Sequence, residues 1–94
     1  MLFCVFSFDK PAAASVRAGN REAHLAYMTA LGKRLKALGP FLSEDGDAMI
    51  GSLYIVEANT RDEVEAIVAD DPYVQADLFD RYEIHPWRHV AGQF

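Results

Sequence analysis

The chain is 94 residues long, enough for one domain spanning 1–94 and no more. Its formal charge of −5 excludes the basic footprint that nucleic-acid binding needs, and no apolar run reaches the roughly 18 residues of a membrane span. An apolar content of 51%, with 12% aromatic, is rich for so small a chain and predicts a second covered surface, read as a homodimer interface.

The opening segment MLFCVFSF has no basic region, and Asp9-Lys10-Pro11 follows where a cleaved leader would carry small residues. It reads as a strand over residues 2–8. Leu2, Cys4, Phe6 and Phe8 alternate with Phe3 and Val5, so both faces are expected to be covered. Cys4 is the single cysteine, which rules out an intrachain disulfide. It reads as a small buried hydrophobe in a reducing compartment, taken to be the cytoplasm.

An Ala-rich connection over 9–19 carries Arg17 and Gly19. Asn20 is the expected N-cap of a long helix reaching Leu38, with Met28, Leu31, Leu35 and Leu38 as its apolar stripe and Gly39-Pro40 as its stop. Four residues before Met28 stands His24, which this spacing puts on the core-facing stripe one turn into the helix. Phe41-Leu42-Ser43 begins a second strand and Glu44-Asp45-Gly46-Asp47 a turn. Gly51 to Glu57 is a third strand, again apolar on both faces. Thr60-Arg61-Asp62-Glu63 is a capping box, opening a helix with Val64, Ile67 and Val68 inward. Asp71-Pro72 ends it, and Pro72 opens a short turn through Leu78. Phe79 to Trp87 is the last strand, before a tail to Phe94.

This order predicts a ferredoxin-like β-α-β-β-α-β fold of α+β class, with an antiparallel sheet in the order 4-1-3-2. The first and third strands, apolar on both faces, fall at its centre. Helices cover one face, and the other, also apolar, calls for a partner sheet. The topology gathers Ser7, Asp9, Arg17, Arg21, His24, Ser52 and Asp71 at one end of the domain. A histidine in the first helical turn is held neutral by the helix dipole and can serve as a general base, with the Asp71 carboxylate fixing its tautomer. Arg17 and Arg21 are candidates for holding an anionic or phenolic ligand, and Ser52 for donating to a developing oxyanion.

Each of these residues also has a plainer reading. His24 fits a satisfied core histidine, Asp71 fits the N-cap of the turn opened by Pro72, Arg17 and Arg21 fit solvated surface, and Ser52 fits an ordinary strand position. His85 and His89 share no face with His24. No zinc ligand set, P-loop or dinucleotide fingerprint is present, so neither metal nor cofactor is expected.

Arg21-x-x-His24-Leu25, Gly39-Pro40, Gly51-Ser52, Asp71-Pro72-Tyr73 and Glu83-Ile84-x-Pro86-Trp87 occur in an order that resembles the YCII-related (YciI-like) family over nearly the whole chain. The resemblance implies a dimeric α/β barrel formed through the sheets. It also implies a His/Asp-centred site on His24 and Asp71, with Arg21 and Ser52 at neighbouring family positions. Some members of such families look like enzymes acting on ring compounds, including a dehydrochlorinase of chlorinated hydroquinones. The expected function is therefore a cofactor-independent enzyme of isomerase or lyase type, with His24 as base and Asp71 orienting it. The alternatives are a non-catalytic ligand-binding or accessory module, or a purely structural dimer.

Overall fold

A computed structural model describes residues 1–93; Phe94, the end of the expected tail, lies outside them. The elements are β1 (Leu2–Asp9), α1 (Ala14–Thr29), β2 (Leu35–Leu42), β3 (Met49–Glu57), α2 (Arg61–Asp70), α3 (Pro72–Gln75) and β4 (Phe79–Trp87). All strand pairings are antiparallel and the sheet order is β2-β3-β1-β4, the ferredoxin-like arrangement expected.

The period-2 pattern sorts the two sheet faces. Phe3, Val5 and Ser7 stand opposite Val56, Tyr54 and Ser52. With Ile84 of β4 they face the helices. Met28 of α1 and Val64, Ile67 and Val68 of α2 close the core against Phe3, Val5, Tyr54 and Val56. The register puts Cys4, Phe6 and Phe8 on the other face with Leu53 and Ile55, beside Phe41 at the β2 edge. Phe41 lies edge-on to Phe6 and stacks on Phe8 at 5.8 Å. Cys4 is buried there, and burial pushes its thiol pKa up. His85 lies opposite Cys4, on the face away from His24, and touches Phe6.

The first helix differs from expectation at both ends. It starts at Ala14, seven residues early, and its capping residue Ala13 makes no side-chain cap bond. It follows a Pro11-Ala12 turn, in which Ala12 has φ 57°, and the buried stripe of Arg17, His24 and Met28 holds the helix in place of a cap signal. Asn20 is an interior residue whose amide donates to the Val16 carbonyl. The helix stops at Thr29 because Gly32, at φ 64°, takes the left-handed conformation that ends it through a short 3-10 turn.

Leu35 and Leu38 then belong to a strand. Their three-residue spacing mimics a helix because the β2–β3 register shifts between Leu35 and Ala37. The extra residue puts both leucines on the core face, opposite Val56 and Tyr54. Gly39-Pro40 is part of β2, where an edge strand tolerates the missing N–H. Gly51 is required where β3 meets β1, since a Cβ there would lie 2.4 Å from the Ser7 carbonyl oxygen.

The second half follows expectation more closely. Thr60 caps α2 by accepting from the Glu63 N–H, while Glu63 reaches back to the N–H of Asn59, one residue before the cap. Asp71, at φ −63° and ψ 127°, separates α2 from α3, and Pro72 occupies the first turn of α3. No helix among the described residues is long and apolar enough to cross a membrane.

Candidate functional site

The early start of α1 changes what one helix face presents. Arg17, His24 and Met28 are its buried residues, spaced seven and four apart on one stripe toward the sheet. His24 therefore lies in the second half of α1, not in its first turn, and the dipole argument for a neutral ring does not apply. What acts on its ring is a carboxylate. His24 Nδ1 lies 2.8 Å from Asp71 Oδ1, and each side chain is at most 4% exposed.

Asp71 serves the local backbone at the same time. The Tyr73 N–H donates to Asp71 Oδ1 at 3.0 Å, so the oxygen that caps α3 is the one that meets His24. The capping and histidine-partner readings of Asp71 hold together, and on a single oxygen. A carboxylate acceptor selects the Nδ1–H form of the imidazole. No described residue hydrogen-bonds Nε2, which is the ring nitrogen left for a ligand.

Arg17 is not the surface clamp that its place in a connecting loop suggested. It is buried and held by Asp9 in a forked pair, Nε to Oδ2 at 2.7 Å and Nη2 to Oδ1 at 2.8 Å. Nη2 also donates to Ser52 Oγ at 3.0 Å, so Arg17 and Ser52 meet directly. Burial pulls the guanidinium pKa down, but the bond to Asp9 and that residue's charge outweigh it, and the pKa rises. The Asp9 pair also offsets the cost of a cation at the positive end of α1. Arg21, one turn on, is exposed and makes no hydrogen bond or ion pair among the described residues.

These groups surround a pocket of about 110 Å³ lined by Arg17, Arg21, His24, Met49, Ser52 and Tyr73, with Leu38 to Pro40 as its apolar wall. The drug-sized pockets of proteins are several-fold larger, about 300–1,000 Å³, so a single ring or a few heavy atoms is the scale that fits. Asp71 stands behind His24, outside the lining. A larger depression of about 560 Å³ lies at the opposite end of β1, between Met1, Leu2 and Pro86 to His89. It has no buried titratable side chain. Among the described residues no group of three or more His, Cys, Asp or Glu side chains is placed to hold a metal ion.

Two residues of this cluster, Asp9 and Tyr73, were given no role from the sequence. Asp9 ends β1, and the clue to it is the buried Arg17 seven residues before His24, visible only once the helix is begun at Ala14. Tyr73 is buried and stacks on the His24 ring, with centroids 3.9 Å apart and planes 12° from parallel. Burial raises its phenol pKa, against the opposing pull of Arg17 and Arg21. Its signal was the cap, since a residue two after a capping Asp donates its N–H back to it.

Comparison with known proteins identifies a family and shared folds. The model of a family described as the YCII-related domain matches residues 1–88. The protein YciI of Escherichia coli O6:H1 is 29% identical over 97 residues, covering 96% of this chain and 99% of its own length. Among solved structures, 5-chloro-2-hydroxyhydroquinone dehydrochlorinase (TftG) from Burkholderia phenoliruptrix AC1100, in complex with 2,5-dihydroxybenzoquinone, is 37% identical. It superposes with a TM-score of 0.88 over 96% of both chains. SnoaB, a cofactor-independent oxygenase from Streptomyces nogalater, shares the fold at 12% identity, with a TM-score of 0.58 over 95% of this chain and 94% of its own.

Proposed function

The chain belongs to the YCII-related family, and on that premise we propose that it is a cofactor-independent enzyme acting on a small anionic or phenolic ring compound by proton transfer. The observation that carries this reading is the buried 2.8 Å contact between Asp71 and His24, a histidine that lines the pocket. In the proposed mechanism His24 Nε2 takes a proton from the ligand. Asp71 holds the Nδ1–H and stabilises the imidazolium that forms. Arg21, the exposed cation of the lining, makes no hydrogen bond or ion pair among the described residues and meets the ligand's negative charge. Arg17 and Ser52, already bonded to each other, present a fixed donor set to the same pocket. The reaction class is isomerisation or elimination. The 37% identity to a dehydrochlorinase of a hydroxylated ring supports an elimination and a ligand of that kind.

We further propose that the chain works as a homodimer joined through the sheet face that bears Phe6, Phe8, Phe41 and Leu53, pairing as a dimeric α/β barrel. Half-buried aromatic side chains on a face that no helix covers support this, and sedimentation velocity tests it. A monodisperse monomer at micromolar concentration would reject it.

The functional reading is tested by titrating the protein with 2,5-dihydroxybenzoquinone and following both binding and any chemical change in the probe or its chlorinated analogue. Turnover that is lost in a folded His24→Ala variant supports the enzyme. Saturable binding at this pocket without turnover of any ring compound in a screen would replace it with a ligand-binding module.

A further inference from the structure

Tyr73 stands between the two ion pairs of the site and takes part in both. Its backbone N–H holds Asp71 Oδ1 at 3.0 Å. Its ring lies face to face with His24 at 3.9 Å. The Arg17 guanidinium carbon is 4.8 Å from its centroid, and Phe79 packs edge-on against it at 5.9 Å. Tyr73 is 1% exposed, so this geometry has little freedom.

The covalent bond at Cγ and the hydrogen bond from Nδ1 anchor one edge of the imidazole and leave the ring free to tilt about that edge. A parallel aromatic surface removes that freedom by fixing the plane. We propose that Tyr73 is a positioning residue of the site: its ring sets the plane of the His24 imidazole, so that Nδ1 stays on Asp71 and Nε2 stays aimed into the pocket. Asp71 selects which nitrogen carries the proton, and Tyr73 selects where the other one points. The stacked ring also offers its negative face to the imidazolium that forms when His24 takes a proton. Tyr73 acts here through its ring, because the hydroxyl is not needed for stacking or for the backbone bond to Asp71.

This inference rests on reading His24 as the base, but it is tested on the imidazole itself. The chain has three histidines, so nitrogen-15 histidine labelling with a His24→Gln assignment control resolves the ring. The wild-type protein is expected to show His24 in a single Nδ1–H tautomer, with ring protons moved upfield by the stacked phenol. Tyr73→Phe is expected to keep both signatures. Tyr73→Leu is expected to lose the upfield shift and to raise the population of the minor tautomer. Tyr73→Met refills the volume with a flexible chain and carries the same expectation if the Leu variant does not fold. Val64→Ala, a core truncation on α2, is the control for destabilisation alone and is expected to leave both signatures in place.

A Leu or Met variant that folds and keeps the wild-type tautomer would overturn the proposal, because Asp71 alone would then suffice. Loss of the signatures in Tyr73→Phe would overturn it too, by assigning the effect to the hydroxyl. An intact positioning effect in a protein that turns over no ring compound would leave this inference standing while the enzymatic reading fails.

Discussion

Replacing Asp71 separates what this residue does for the fold from what it does for His24. Asp71→Ala removes the cap of α3 and the acceptor of the His24 N–H in one step, since both bonds end on Oδ1. A lost N-cap costs about 1 kcal/mol, and a buried donor left without a partner about 1–3 kcal/mol more. A loss on the order of 2–4 kcal/mol is a large part of the 5–15 kcal/mol typical of a whole domain. At this chain length it lowers the melting temperature by roughly 10–20 °C. Asp71→Asn keeps an oxygen in the same place and can satisfy both donors, so its cost is expected below about 1 kcal/mol. What Asn cannot do is balance an imidazolium, so any turnover should fall by orders of magnitude in a protein that is nearly as stable as wild type. The assay is urea unfolding by circular dichroism at one fixed protein concentration, with slopes compared to confirm the same transition. An Asp71→Ala variant within about 0.5 kcal/mol of wild type, or an Asn variant as costly as the Ala variant, would refute the shared-oxygen account.

Other substitutions test other parts. Asp9→Ala strands the buried Arg17 guanidinium and is expected to cost about 3–5 kcal/mol by the same unfolding assay; a loss under 1 kcal/mol would mean that Arg17 swings out to water. Gly51→Ala puts a Cβ against the Ser7 carbonyl, 2.4 Å away, and should cost about 1–3 kcal/mol; a neutral effect would contradict the close strand approach. Tyr54 has the one buried side-chain polar atom without a partner among the described residues, so Tyr54→Phe is expected to be neutral or stabilising by up to about 1 kcal/mol at pH 7. The same substitution has an alkaline signature. Burial raises the Tyr54 pKa above its unfolded value, so the fold keeps the phenol neutral while the unfolded chain ionises from about pH 10. Stability that is present below that pH is lost as pH rises, and Tyr54→Phe should remove up to about 1.4 kcal/mol per pH unit of that slope. An unchanged alkaline slope would show that Tyr54 is not the group responsible.

The sheet order and the meeting of His24 with Asp71 were legible because they depend on long-range pattern. Two strands with both faces apolar had to be central, and the connection order then brought α1 and the start of α3 to the same end. Val64, Ile67 and Val68, the cap at Thr60 and the break at Asp71-Pro72 were read correctly because each is a local chemical signal. The first helix was misread because its ends carry ambiguous ones. Ala13 offers no capping side chain, and Asn20 looks like a cap but bonds backward along the helix. Leu35 and Leu38 keep helical spacing inside a bulged strand, which a period count cannot distinguish from a continuing helix. That single error placed Arg17 in a loop and His24 in a first turn. It also hid the Asp9–Arg17 pair, whose burial follows only when Arg17 and His24 are seen on one helical stripe.

The central claim is that His24 Nε2 and Arg21 face one small anionic ring ligand in the pocket behind which Asp71 stands. It is tested most directly by nitrogen-15 titration of the histidine and arginine side chains with 2,5-dihydroxybenzoquinone. The account predicts saturable shifts at His24 Nε2 and at the Arg21 guanidinium, with binding weakened in His24→Ala and in Arg21→Met. Binding that leaves both side chains unmoved, or that survives both substitutions unchanged, would contradict it.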